Sequence, residues 1–330
     1  METLVANLTL RSGEDARVWK ITCPEPAWAD RILPFLDHKG PDWHWPMRDA
    51  LAAGLPPLTM NFHECTIGDE VVGNMTTLEC LDRPVGLLQH VFTPPEHRQK
   101  GIADALMNAM CDDFSARGGR SMYLGTGNPI AVRLYEKYGF AGIQGAGFMQ
   151  WFPDPDFLTT YFSCGPVSVR EMNWGDWPLL AALYAIEDGW TLRSLKQGLY
   201  GFENYEHPFV DLQKDLRDGR AQSALVLVKD DGAVVGHAFL WPRPQFPDGP
   251  FMLEFFVHPN FYEQAGLLLS SLDLPVGRKL QCACDNEARE RQAILDRFDL
   301  WREATLRSQF CHDGRWFDLH LYSSRWIPPA

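Results

Sequence analysis

Residues Val91 to Ala103 read VFTPPEHRQKGIA: an apolar strand end, two prolines, a short basic turn with one glycine, and the first residues of a helix. The helix carries on over Asp104 to Arg117, with Ile102, Leu106, Met110 and Phe114 on one face and Gly118-Gly119 as its stop. A strand that runs through a glycine turn straight into a helix builds an anion cradle. The N–H groups of a first helical turn have no partner within the helix, and the helix dipole places about half a positive charge there, so a phosphate group is stabilised by backbone alone. Gly101 lets the main chain approach such a ligand, and Arg98 and Lys100 add charge around it.

Working outward from this loop, the preceding residues carry the period of two expected of strands. Leu58 to Ile67 and Val71 to Glu79 make a hairpin around Gly68-Asp69-Glu70, and Val85 to Thr93 makes the next strand. Before them come short strands at Leu4 to Leu10 and Val18 to Thr22, a helix over Ala27 to Leu36, a rigid aromatic connector at Gly40 to Pro46, and a second short helix to about Ala53. The tryptophans of the connector, Trp43 and Trp45, either cover a core or wall a binding site. After the cradle helix, Ser121 to Thr126 reads as a strand, Asn128-Pro129 opens a helix that ends at Tyr138-Gly139-Phe140, and a last strand lies near Gly147 to Phe152.

Pro153 to Asp156 and Gly165-Pro166 mark a break, after which the order of elements starts again. Val167 to Arg170 is a strand, Trp177 to Ile186 a helix, Leu192 to Arg217 helical, Ala221 to Val228 and Ala233 to Trp241 a hairpin, and Phe251 to Val257 a strand that also ends in a proline. A duplication with a period of about half the chain accounts for this. The expected division is 1–160 and 161–330, which suits a length of 330 residues.

Composition narrows the class. The chain is 45% hydrophobic and 22% charged, with a net charge of -13, so no concentrated basic face is available for a nucleic-acid backbone. No apolar run approaches the roughly 20 residues of a membrane span, and Met1 to Leu10 lacks the basic start and long apolar core of a secretory signal. A cytoplasmic protein, monomer or homodimer, with neither nucleic acid nor membrane as partner, is the expectation. The eight cysteines show no metal-ligand spacing, and Cys282 and Cys284, alternating on a strand, read as small core residues. No metal is expected.

Thr93-x-Pro95-x-x-Arg98-x-x-Gly101-x-Ala103, followed one helix and one strand later by Asn128-x-x-Ala131-x-x-Leu134-Tyr135-x-x-x-Gly139-Phe140, resembles the two signatures of the GCN5-related N-acetyltransferases, the GNAT superfamily. The matched motifs span roughly Val85 to Phe140. The resemblance implies an α/β (α+β) fold of two tandem GNAT-like domains, each a mixed, mostly antiparallel sheet flanked by helices. It implies acetyl-CoA (coenzyme A) as co-substrate, with the backbone of Val91, Phe92 and Thr93 along the pantetheine arm. The loop Arg98, Gln99, Lys100, Gly101, Ile102 and Ala103 would hold the diphosphate, and Asn128 would lie near the thiol end. Tyr135 is similar to the tyrosine that protonates the departing thiolate, a role its pKa order suits. Trp43 and Trp45 fall in the region that lines the acceptor side of the family.

The group that deprotonates the acceptor amine is left open by the residues. His90 is the titratable group of its strand and Glu79, at the end of the preceding strand, is its rival, with water or another residue as the remaining choice. In the second half, Glu254 to Pro259 matches His90 to Pro95, but Tyr262 and Gln264 stand for Arg98 and Lys100, Glu263 enters the loop, and Leu295 takes the place of Tyr135. This half is expected to be a degenerate copy. Acetyl transfer directly to a primary amine of a small molecule or peptide, by the first half, is the expected activity; a non-catalytic acyl-CoA-binding regulatory module is the alternative.

Overall fold

The computed structural model describes residues 1–80, 83–143, 147–194, 205–242 and 249–324. These divide into two compact units: Met1–Ile143, Gly147–Phe157 and Trp174–Ala182 form the first, and Leu158–Asn173 with the described residues from Leu183 onward form the second.

In the first unit, strands β1 (Glu2–Thr9) and β2 (Asp15–Thr22) are followed by helices α1 (Ala29–Phe35) and α2 (Pro41–Ala53). Then come strands β3 (Leu58–Ile67), β4 (Glu70–Cys80) and β5 (Arg83–Phe92), helix α3 (Ile102–Ala116), strand β6 (Ser121–Gly125), helix α4 (Pro129–Lys137), and strands β7 (Ala141–Ile143) and β8 (Phe148–Trp151). They make one 8-stranded sheet in the order β1-β2-β3-β4-β5-β6-β8-β7. Its strands pair antiparallel except β5 with β6.

One face of this sheet is covered by α3, whose Ile102, Leu106, Met110 and Phe114 are buried with Val18, Cys65, Met75 and Leu88, as the helical spacing predicts. The helix start lies unusually close to β4. A Cβ placed on Gly73 would stand 2.4 Å from Ile102 Cγ2, so the absence of a side chain there is what lets the cradle end of α3 rest on the strand.

Two local readings are corrected. Gly40 to Pro46 is not a connector, because Pro41 sits at the first helical position, where a missing N–H costs nothing, and the helix continues through Pro46. Trp43 and Trp45 therefore project from a helix. Leu192 to Arg217 is helical only at Glu206–Arg217; Leu192 to Ser194 have no regular structure, and 195–204 lie outside the described residues. Arg193 explains the loop, since its guanidinium donates to the carbonyls of Tyr184, Ile186 and Asp188 and so replaces helical partners with side-chain ones. The strand Ala141–Ile143 has no counterpart in the sequence reading, three residues being too few to carry a period.

A short helix, α5 (Phe157–Tyr161), follows β8. Next come β9 (Val167–Glu171), α6 (Asp176–Tyr184), α7 (Glu206–Arg217), β10 (Ser223–Lys229), β11 (Val234–Pro242) and β12 (Phe251–Val257). The chain ends with α8 (Ala265–Ser270), β13 (Leu280–Asp285), α9 (Arg289–Arg297), β14 (Leu300–His312) and β15 (Arg315–Ser324). The second sheet has 7 strands, and from its β9 edge it runs β9-β10-β11-β12-β13-β15-β14. Strand for strand this is the order β2-β3-β4-β5-β6-β8-β7 of the first, and again a single neighbouring pair, β12 with β13, is parallel. The duplication read from the sequence is thus present in the topology, with β1 the addition in the first copy. The fold is α/β of the α+β kind, two tandem mixed and mostly antiparallel sheets flanked by helices. Among the described residues no helix is long and apolar enough to cross a membrane.

Candidate functional site

The centre of the first sheet is held open. β5 pairs with β6 only through Val85–Leu87 and Ser121–Tyr123, yet β5 continues to Phe92 and β6 to Gly125. The cause is a bulge. Asn74 pairs with Phe92 and Thr76 with Gln89, which leaves one extra residue on β5, and His90 within it takes φ 50, outside the ordinary range of a strand. Asn74 fixes this kink, its Nδ2 donating to the His90 carbonyl at 2.6 Å and to Thr76 Oγ1 at 3.2 Å. Beyond the bulge, β5 main-chain groups that would have bonded β6 face a gap in the sheet. An extended ligand can take that place.

The open strand end leads into the cradle. A turn of 3-10 helix at Pro95–His97 is followed by Gln99 and Gly101, with φ 63 and 91, and α3 begins at Ile102. These positive φ values turn successive N–H groups of the loop toward one side. Both expected cations are already engaged: Arg98 Nε donates to the Thr93 carbonyl at 3.0 Å, and Lys100 pairs with Glu14 at 2.9 Å. A third cation is present that the sequence reading missed. Arg11, from the β1–β2 turn, has its Nε 3.5 Å from where a Gly101 Cβ would stand, and it pairs with Asp104 at 2.9 Å. Lys137 and Tyr138 of the α4 end also reach Asp104, and Lys137 above all holds that carboxyl below the usual range. Arg11 lies some ninety positions from the loop in sequence, so no local pattern connects the two.

Asn128 caps α4, its Oδ1 accepting from Ile130 N at 3.0 Å, and it follows the unpaired end of β6. Tyr135, on α4, is buried with its ring 5.9 Å from that of Phe140. His90 lies edge-on to Trp43 at 5.3 Å. Burial first, and then the charges of Lys39, His38 and His44, pull its imidazole down to about 3, so it is neutral at physiological pH and a weak base as it stands. Glu79 is committed elsewhere. Its carboxylate takes both Arg117 Nη1 and Nη2, at 2.5 and 3.1 Å, and also accepts from Asn61 and Thr77.

The two tryptophans part company. Trp43 meets His90 and stacks on Trp177 at 6.4 Å, whereas Trp45 meets Trp174 at 5.5 Å; both partners belong to the stretch counted with the first unit. Phe92 packs on Phe35 at 5.3 Å and on His38 at 4.0 Å. Two sets of aromatic contacts thus involve the bulged strand: His90 with Trp43, and Phe92 with Phe35 and His38.

The second unit has the same strand opening, β12 and β13 pairing only at Phe251–Met252 with Leu280–Gln281, and side chains of its own pack on both strands just past the paired residues. Arg291 lies against Phe255 of β12 and donates to Cys282 Sγ of β13 and to the Leu192 carbonyl. Trp190 packs on Phe255 and stacks on Tyr262 at 5.0 Å, in the loop that matches the cradle. Leu295 is fully buried where α4 carries Tyr135. Cys282 and Cys284 are both buried, and burial pushes their thiols up.

Comparison with known proteins gives concordant matches. Residues 25–140 match the acetyltransferase (GNAT) family model. The curated acetyltransferase Atu2258 of Agrobacterium fabrum is 38% identical over 60 residues, 18% of this chain and 44% of that protein, so the chain spans less than half the length of this relative. Among solved structures, the ribosomal-protein-S5-alanine acetyltransferase of Vibrio fischeri is 14% identical with a TM-score of 0.38, covering 51% of this chain and 98% of its own. The acetyltransferase yncA of Salmonella typhimurium, solved with acetyl-CoA, is 16% identical with a TM-score of 0.40, covering 50% and 97%.

Proposed function

From a chain whose residues 25–140 match the acetyltransferase (GNAT) family model, we propose that the first unit, expected to span 1–160, binds acetyl-CoA and transfers its acetyl group directly to a primary amine of a small molecule or peptide. The observation that carries this reading is the opening between β5 and β6 that runs into the glycine-kinked start of α3. One part offers strand-like main chain to an amide-bearing arm, the other a helix terminus to a diphosphate. Acetyl-CoA supplies the activated acyl group.

In this reading Val91, Phe92 and Thr93 hold the pantetheine arm, and the loop Arg98 to Ala103 with Arg11 holds the diphosphate. Asn128 orients the thiol end, and the Tyr135 hydroxyl returns a proton to the departing sulfur. His90, neutral beside Trp43, lines the acceptor side rather than acting as a strong base. The second unit, with Arg291 and Trp190 packed beside its opening, binds no acetyl-CoA. The protein is placed in the cytoplasm as a monomer or homodimer, and neither nucleic acid nor membrane is a partner.

Calorimetric titration with acetyl-CoA, followed by release of free thiol in the presence of an amine panel, tests the assignment. Binding with turnover supports the enzyme. Binding without turnover on any amine favours the acyl-CoA-binding regulatory module, and absence of binding removes both.

A further inference from the structure

Strand β4 carries the run Val71-Val72-Gly73-Asn74, and β11 carries Val234-Val235-Gly236-His237. The two strands hold the same place in the duplicated order, each next to the first member of its parallel pair. Asn74 stands opposite Phe92 and His237 opposite Phe256. Phe92 and Phe256 also coincide when the two strand ends are laid over each other at Pro95 and Pro259. His237 is therefore the counterpart of Asn74.

The counterparts behave differently. In the first copy Thr76 pairs with Gln89 and Asn74 with Phe92, so β5 carries one residue more than β4 between the two pairs. In the second copy Phe239 pairs with Glu254 and His237 with Phe256, with no shift of register. His90 takes φ 50, whereas no residue of β12 has a positive φ. The side chains match this difference. Asn74 is fully buried, and its Nδ2 donates to the His90 carbonyl at 2.6 Å. His237 Nε2 meets the Tyr184 hydroxyl at 3.0 Å and its Nδ1 has no hydrogen-bond partner among the described residues, so neither ring nitrogen bonds β12.

A positive φ at a residue other than glycine persists only where surrounding bonds over-determine it. The His90 carbonyl can only accept, so the Asn74 amide nitrogen must face it, and inside the sheet such a bond is costly to leave unmade. The extra residue also shifts the alternation of the strand. Phe92, not Val91, shares the facing of Gln89, and the main-chain groups beyond it follow that new phase.

We propose that Asn74 is a positioning residue for the cofactor. By holding the His90 carbonyl it keeps β5 bulged, which sets the phase in which Val91 to Thr93 offer main-chain groups to the pantetheine arm. Histidine at the matching place leaves the second copy without that phase. Asn74 touches no substrate and acts through the β5 backbone. This rests on the acetyl-transfer reading above.

The probes are acetyl-CoA and adenosine 3′,5′-bisphosphate, a fragment of the cofactor that lacks the pantetheine arm, titrated calorimetrically. Asn74→Leu and Asn74→His are expected to weaken acetyl-CoA about 10-fold or more and to leave the bisphosphate unchanged, with the loss appearing in KM for acetyl-CoA rather than in kcat. A general disturbance of the unit would weaken both ligands. Asn74→Asp keeps the shape and donates to the His90 carbonyl only while protonated, so it also serves if Asn74→Leu does not fold. Its acetyl-CoA affinity relative to wild type is expected to fall about 10-fold between about pH 5 and about pH 9, since burial raises a carboxyl into that range. Glu64, opposite position 74 on β3, and His90 are the titratable groups of the adjoining strands, and both are present in the wild type against which the ratio is taken. Wild-type acetyl-CoA affinity in Asn74→Leu, equal weakening of both ligands, or a ratio in Asn74→Asp that does not change with pH would each overturn the proposal. Failure of the wild type to bind acetyl-CoA would instead remove the function on which it rests.

Discussion

Tyr135 and Leu295 occupy matching turns of α4 and α9, each buried, and differ by a ring and one hydroxyl. Tyr135→Phe keeps the ring that packs on Phe140 and removes only the hydroxyl, so on the proposed role as acid kcat is expected to drop about 100-fold at unchanged acetyl-CoA affinity, read by thiol release and calorimetry. A second prediction concerns His237 on β11, whose Nε2 meets the Tyr184 hydroxyl at 3.0 Å and whose Nδ1 has no hydrogen-bond partner among the described residues. Burial lowers its imidazole to about 3. Unfolded, it titrates near 6.5, so the unfolded chain takes up a proton as pH falls below that value and the folded chain does not. The stability tied to this residue is complete above about pH 6.5 and is lost progressively down to about 3, amounting to about 2 kcal/mol at pH 5. Urea titrations of wild type and His237→Gln at pH 7 and pH 5 should show the smaller loss in the variant. At this scale the sequence placed Gly101 before one helix, Asn128 at the start of the next and Tyr135 on it, because those spacings are local. It could not disclose Asn74 or Arg11, which acquire meaning only when segments far apart in sequence come together.

Helix α3 is positioned by what β4 lacks. Gly73→Ala would set a methyl 2.4 Å from Ile102 Cγ2 and 3.2 Å from Leu106 Cδ1, both on the helix that carries the cradle. A loss of about 1–3 kcal/mol in unfolding free energy is expected, together with weaker acetyl-CoA binding, since the helix start must shift to relieve the contact. The same substitution at the exposed turn glycine Gly118, with φ 82 and no atom near its side-chain position, would strain the backbone but leave acetyl-CoA affinity intact. Strands and α3 were legible because their apolar residues repeat at clear periods. The aromatic segment at Gly40 to Pro46 was not, because two prolines and two tryptophans conceal a helix whose first turn tolerates Pro41 and whose apolar face is made by tertiary contacts.

Across the chain, one strand order is used twice, and the two copies treat the opening beside their parallel strand pair differently. The first leaves main-chain groups of β5 facing a gap. In the second, Arg291 and Trp190 pack on the strand side chains beside it, and Arg291 is itself buried. One molecule of acetyl-CoA per chain is the stoichiometry expected from calorimetry. Strand pairing that stops short leaves main-chain groups whose hydrogen bonds a bound ligand would complete. On the proposed reading the first copy gains stability from acetyl-CoA and the second does not. In a calorimetric scan, acetyl-CoA at a hundredfold excess over its Kd should stabilise one melting transition by about 2.7 kcal/mol and leave the other where it was. Unfolding of the first unit would then report cofactor supply, and a chain short of acetyl-CoA would become open to proteolysis at one half before the other.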